Sequence, residues 1–384
     1  MNLSVTQLLQ QAVAIPSVNP SHGDDPALSG EKRMADWLSD QLGARGLEVE
    51  TLDLMGPDRP AVIGRNTPRA TSRSLMVEVH LDTVGTRGMT VDPFGGIIRE
   101  EKLYGRGACD MKGSTCAFLA ALTPDRVRHL EARGIQLLVV GAPDEETGLG
   151  GSAKLAADGL RADDAVILEP TRCLPVIAHK GACWYEVTLE GTAGHGSQPE
   201  KGVSTHAALA ILLPELYRIH EEEAARHHHA LLGQTTLNIG RIDGGKTFNV
   251  IPDHTRLELD RRVIPGEDPD AFTSRVSECL NALIQNGHLT GGSIRRTAMT
   301  PPFATDADSP LVKALQSAIH APCKPEGTSW VSDASMFSQT CANTVVFGPG
   351  DIAQAHTVDE YISLGQLDRG VRIFERFLDQ YGCA

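Results

Sequence analysis

Three apolar runs in the first half of the chain each end in side chains that bind metals, and this pairing restricts the fold more than any other feature. Residues 74–80 (SLMVEVH) end in His80-Leu81-Asp82. Residues 135–141 (IQLLVVG) lead into Pro143-Asp144-Glu145-Glu146, and residues 165–168 (AVIL) lead into Glu169-Pro170. Continuous Val/Ile/Leu runs separated by helix-like stretches, here 111–122 and 152–158, are the pattern of a parallel sheet buried on both faces. In such sheets functional groups gather beyond the carboxyl ends of the strands.

From Lys180 the periodicity changes. Residues 184–190 alternate like a half-exposed strand, followed by a helix over 203–223, strands over 235–241 and 255–262, a helix over 269–285 and a strand near Ser293. This β-α-β-β-α-β order is that of a ferredoxin-like split unit. After Pro301-Pro302 the chain resumes with a helix over 310–320, a strand over 344–347 and a helix over 366–381. The expected fold is α/β. A mostly parallel-sheet catalytic domain flanked by helices (1–179 and 296–384) is interrupted by an inserted ferredoxin-like α+β domain (180–295). A length of 384 residues suits two cores better than one.

The seven residues at the strand ends and adjoining loops form one chemical set. His80 and Asp82 are two apart, so an extended segment turns both to one side. Asp110 lies in the glycine-containing loop 105–113, and His356 closes the loop 348–356 that follows a strand. With Glu145, Glu146 and Glu169, these residues favour zinc or a similar divalent ion in a hydrolytic site; structural zinc would use cysteine. Adjacent buried carboxylates repel each other, and burying one uncompensated costs on the order of several kcal/mol, a difficulty that a cation removes. Other chemistries fit less well. The chain has no G-x-S-x-G elbow. Cys109 stands beside Asp110, and an acidic neighbour raises a thiol pKa. Glu221–Glu223 followed by His227–His229 reads as a solvated helix end.

Composition narrows the setting. Lys plus Arg number 35 and Asp plus Glu 49, a net charge of 35 − 49 = −14 that opposes binding to a phosphate backbone. Eight scattered cysteines without a C-x-x-C pair read as free thiols in a reducing compartment. The first residues carry no basic leader, and no apolar run reaches membrane-spanning length. A cytoplasmic enzyme with neither nucleic-acid nor membrane partners is expected.

Taken in order, His80-Leu-Asp82-Thr-Val, 105–113 (GRGACDMKG), 144–148 (DEETG), Glu169-Pro170, 191–197 (GTAGHGS), 249–252 (NVIP), 260–267 (DRRVIPGE) and 348–361 (GPGDIAQAHTVDEY) resemble the di-zinc amidohydrolase family. That family includes acetylornithine deacetylase, succinyl-diaminopimelate desuccinylase, aminoacylase and related carboxypeptidases. The resemblance spans essentially the whole chain. It implies two divalent ions, zinc first, with cobalt or manganese as substitutes in vitro. Asp110 would bridge them, His80 and Glu169 completing one site and Glu146 and His356 the other. Glu145 would be the general base for attack of a metal-bridging hydroxide on an amide. Asp82 would hold the His80 imidazole in one tautomer. The inserted domain would be a lid and dimerisation domain. Its His195 would stabilise the oxyanion across the subunit boundary of a homodimer. Asn249 and Arg262 would contact the substrate, Arg262 forking onto the α-carboxylate of a small N-acyl amino acid. Arg261, on the opposite face of the same strand, suits a surface ion pair.

Within the family, residues 176–181, 236–240 and 345–361 look most like the acetylornithine deacetylases, implying conversion of N-acetylornithine to ornithine and acetate. The desuccinylases carry an Arg in the loop corresponding to 327–337; here Ser335 takes its place and Trp330 adds bulk. Succinyl-diaminopimelate desuccinylase and a dipeptidase or carboxypeptidase are the alternatives within the family. From a different class, a homologue that binds without catalysis would have lost Glu145 or a ligand, and all seven positions are filled.

Overall fold

Strand Arg73–His80 is buried from Leu75 onward. In the computed structural model, which describes residues 3–23 and 25–382, it lies at the centre of the sheet that such a run requires. Ile135–Ala142 pairs with it in parallel on one side and Asp164–Ile167 on the other, and Asn343–Val346 adds a further parallel strand beyond. Ala61–Arg65 and Glu48–Leu52 extend the sheet past Ile135–Ala142 in antiparallel pairing. Val77 lies in register with Val139 on one neighbour and Val166 on the other, so three β-branched side chains stack across the core. Helices Lys112–Ala121 and Leu364–Gln380 pack together over the sheet. Phe374 meets the edges of Phe118 and Phe347 at centroid distances of 5.6 and 5.5 Å, the edge-to-face contact aromatic rings favour. His80 is level with Ala142, so the segments after both strands emerge at one edge of the sheet.

The chain divides into two compact units. The first comprises Met1–Ile177, Ala304–Glu326 and Ser332–Ala384; the second comprises Ala178–Phe303 and Gly327–Val331. The second unit is an antiparallel sheet in the order Thr236–Gly244, His254–Val263, Gly181–Glu190, Gly291–Thr300. Helices Thr205–Arg226 and Pro269–Gln285 supply its apolar layer. Cys183, Tyr185, Val187 and Leu189 alternate inward along one strand and meet Leu212, Leu216, Phe272 and Val276 from the helices. Ser204 caps the first helix by accepting the Ala207 N–H at 3.3 Å. The sequence boundary at 295 falls inside strand Gly291–Thr300, which pairs with Gly181–Glu190 along its length, and the short stretch Gly327–Val331 joins this unit as well. Proline pairs such as Pro301-Pro302 mark where a strand stops, and here that marker is closer to the true edge. The stretch Glu221–Glu223 lies in the last turns of its helix, with Glu222 and Glu223 ion-paired to Arg218, Arg226 and Arg275.

Arg261 is not a surface residue. Its side chain is fully buried, in ion contact with the Glu267 carboxylate and with its guanidinium carbon 4.8 Å from the Phe272 ring centre. The strand alternation points Arg261 toward the helices, and only an acid and an aromatic face inside make that tolerable. Glu267→Ala should therefore destabilise the protein by about 3–5 kcal/mol, the usual cost of stranding one member of a buried pair. Arg261→Met with Glu267→Leu should lose much less. Urea unfolding of the two variants measures both; equal losses would mean the pair is stabilising beyond mutual neutralisation.

Candidate metal centre

The segments leaving the strand ends converge in the first unit. Asp144 adopts a left-handed backbone conformation (φ 73°), a turn that Asp tolerates better than most residues. This turn aims the next two N–H groups at one target: Glu145 and Glu146 each donate to the Asp82 carboxylate, at 3.1 Å. The same carboxylate accepts the Asn19 amide at 2.8 Å. Asp82 is thus occupied in holding the Glu145–Glu146 turn. The His80 tautomer is set by a different atom of the same residue. His80 Nδ1 lies 2.9 Å from the Asp82 backbone carbonyl and 3.8 Å from its carboxylate. A carbonyl only accepts, so Nδ1 carries the proton and Nε2 is the ring atom that can ligate.

Asp110 is the centre of the arrangement. His80 Nε2 lies 3.1 Å from its Oδ1 and 3.9 Å from Glu169 Oε1. On the other side, His356 Nε2 lies 3.4 Å from Asp110 Oδ2 and 2.9 Å from Glu146 Oε2. Two groups of donors result, His80–Asp110–Glu169 and Asp110–Glu146–His356, the ligand atoms of each within 4.8 Å of one another. They share only Asp110, one oxygen turned to each. Glu145 belongs to neither. Imidazole nitrogens with carboxylate oxygens fit zinc, cobalt or manganese.

The electrostatics of the pocket support a cationic occupant. Burial raises the pKa of Glu145, Glu146 and Glu169, and neighbouring carboxylates push them further; Glu146 reaches about 7. Burial alone would lower His80, but its hydrogen bond with Asp110 and the nearby Glu169 hold it well above the ordinary imidazole value. His356 is raised to about 10 by hydrogen bonds with Asp110 and Glu146. Burial works to raise Asp110 too, yet the hydrogen bonds from His356 and His80 outweigh it and keep the carboxyl below its usual range. Protons can balance this charge only by neutralising donors, whereas divalent cations balance it with the donors ionised.

In the second unit, His195 is exposed and its Nδ1 accepts the Ser197 N–H at 3.2 Å, which leaves the proton of the neutral ring on Nε2. Its strand-like segment runs beside Asn249-Val250: Gly196 N–H donates to the Asn249 carbonyl at 2.9 Å, and a Cβ on Gly196 would stand 3.2 Å from that carbonyl. His195 and Asn249 are therefore near each other. Arg262, a third exposed, forks onto Asp260 Oδ2 with Nε at 3.2 Å and Nη2 at 3.0 Å. Cys109 is buried, and burial followed by Glu360 and Asp110 pushes its thiol well up, which removes it as a nucleophile.

Several residues that build the site have no mark in the sequence pattern. Asn19 ties Asp82 to Asp144 and Thr147, and Arg59 joins Asp144 at 2.7 Å to Glu31. Glu360 is fully buried behind Asp110. It stands within the stretch 348–361 that carries the family resemblance, but nothing there marks it as buried.

Protons held by His80, Glu146, Glu169 and His356 must leave before these atoms can bind a cation. Zn²⁺ binding to metal-free protein should release protons and tighten as pH rises from about 7 toward 10. Calorimetry in buffers of different ionisation enthalpy measures the release; binding without proton release would contradict protonated donor groups in the metal-free pocket.

Comparison with known proteins gives the same direction. Residues 76–380 match the family model described as peptidase family M20/M25/M40. An acetylornithine deacetylase of Myxococcus xanthus is 32% identical over 361 residues, covering 89% of this chain and 90% of that protein. Among solved structures, the aminopeptidase PepT of Bacillus cereus superposes with a TM-score of 0.75 at 18% identity, over 98% of this chain and 97% of that one. The YXEP protein of Bacillus subtilis, titled a dinuclear metal binding peptidase, does so with a TM-score of 0.71 at 13% identity, over 98% and 96%. With its two donor groups around Asp110 and a family match over most of its length, the chain belongs to the M20 peptidase family of metallohydrolases.

Proposed function

We propose that this chain hydrolyses the amide bond of an N-acylated amino acid, with N-acetylornithine the first candidate substrate, and that it holds two zinc ions to do so. The observation that carries the reading is the placement of Asp110, whose two oxygens face separate donor groups. Bound there, two divalent ions would supply Lewis acidity and an acidified water. The remaining chemistry falls to side chains. Glu145, poised beside Glu146 and outside both donor groups, takes the proton of the attacking water as its oxygen adds to the amide carbon. It returns that proton to the nitrogen as the C–N bond breaks, so a carboxylate and a free amine leave. His195, with Nε2–H outward, has the right tautomer to donate to the developing oxyanion, a contribution typically worth about 2.7–4 kcal/mol.

In this reading the second unit is a lid through which two copies pair, and His195 serves the active site of the opposite subunit. Arg262 binds the substrate carboxylate while Asp260 keeps the guanidinium in place, and Asn249 adds a polar contact. The acetyl assignment draws on the deacetylase relative and on the stretch 327–337, which contains no Lys or Arg for a second carboxylate. Ser335 there is fully buried, away from solvent.

Metal-loaded protein should be assayed side by side on N-acetylornithine, other N-acetyl amino acids, succinyl-diaminopimelate and dipeptides. The highest kcat/KM is expected on N-acetylornithine; faster turnover of the succinyl compound or of dipeptides would replace the assignment. Glu145→Ala should keep its metal and its fold yet lose about 10²–10⁴-fold in kcat, as loss of a general base does. Near-normal turnover by that variant would remove Glu145 from the mechanism.

A further inference from the structure

Behind the donor groups lies a buried ion pair that no part of the mechanism uses. Glu360 is fully buried and Arg106 is 3% exposed. One Glu360 oxygen accepts the N–H groups of Cys109 and Asp110 at 2.8 and 3.0 Å. The other accepts the Gly107 N–H at 3.0 Å and Arg106 Nη1 at 2.7 Å. A carboxylate this buried is tolerable because four donors and one positive charge meet it. Arg106 spends the rest of its fork elsewhere. Its Nε donates to the Gly85 carbonyl at 3.0 Å and its Nη2 to the Thr357 carbonyl at 3.3 Å.

These endpoints fall in three ligand-bearing segments. Gly85 is in the segment after His80, Cys109 and Asp110 in the bridging loop, and Thr357 directly follows His356. The Glu360 backbone closes the arrangement by accepting the Gly105 N–H at 3.0 Å, just before Tyr361–Ser363 pairs with Lys102–Tyr104. A shift of any one segment would strain bonds to the other two.

We infer that Arg106 and Glu360 are positioning residues that set the spacing of the two donor groups around Asp110, so that the affinities of both metal ions depend on this one pair. Neither residue belongs to either donor group. The inference rests on the dinuclear reading above and adds a joint dependence that the reading does not require.

Zn²⁺ titrations of metal-free wild type, Glu360→Gln, Arg106→Lys and His356→Ala test it, run well below each variant's melting temperature. Glu360→Gln offers an amide NH₂ to donors that now meet oxygen. Both of its binding steps should weaken in parallel by about 10- to 100-fold, the usual effect of losing a group that orients ligands. Arg106→Lys keeps a charge for Glu360 but loses the fork to Gly85 and Thr357, and should show a smaller loss, again in both steps. His356→Ala should weaken one step alone. If Glu360→Gln does not fold, Arg106→Lys decides. Variants that melt earlier yet bind both ions with wild-type affinity overturn the inference and leave the pair merely structural, as does weakening confined to one step. A wild type that binds a single ion overturns the dinuclear reading, and the inference with it.

Discussion

Asp110, Glu145, Glu146 and Glu169 bring four carboxyl groups into one buried pocket. In an interior of low dielectric, like charges at such distances repel by several kcal/mol, on the order of what a whole domain has to spare. Most of the surrounding structure makes sense as relief of that repulsion. His80 and His356 carry protons on the flanks of Asp110, and the glutamates are pushed toward their neutral forms. Backbone N–H groups are aimed at the carboxylates one shell out, Asp82 and Glu360. Divalent cations would relieve the repulsion while leaving every donor ionised, which is why this pocket reads as a metal centre and not as an accident of acidic loops.

The sheet makes the concentration of charge affordable in geometric terms. Parallel strands deliver their following segments to a common edge, so residues far apart in sequence meet without long connections. His80 and the Glu145–Glu146 turn follow paired strands that end level with each other. The cost of desolvating the ligands falls on a scaffold whose core runs from Val77 and Val166 to the three-ring contact of Phe374 and includes Leu81, Met111 and Leu168, the chain neighbours of His80, Asp110 and Glu169.

The strand ends were legible because continuous apolar runs and metal-type residues are both local signals. His80, Glu146, Glu169 and His356 follow or end such runs, Asp110 lies in the glycine-containing loop 105–113, and the structure brings the five together. What escaped the sequence was set by partners rather than by pattern. Asp82 orients His80 through its carbonyl, a choice no side-chain spacing reveals. Arg261 is interior because Glu267 and Phe272 await it, so charge alone misplaced it on the surface. The role of Asn19 also went unread, since its amide meets Asp82, Asp144 and Thr147 only where distant segments come together; helix Val5–Val13 did carry a local signal, the Ser4–Gln7 capping box. The inserted unit's edge was misjudged within a strand whose exposed, alternating pattern gives little contrast.

The central claim is that Asp110 is shared by two metal sites. Anomalous diffraction from crystals grown with excess Zn²⁺, collected on both sides of the zinc edge, tests it directly. The account predicts two zinc peaks flanking Asp110, one contacting His80 and Glu169 and the other Glu146 and His356. A single peak at full occupancy, or a pair in which Asp110 touches only one ion, would contradict it.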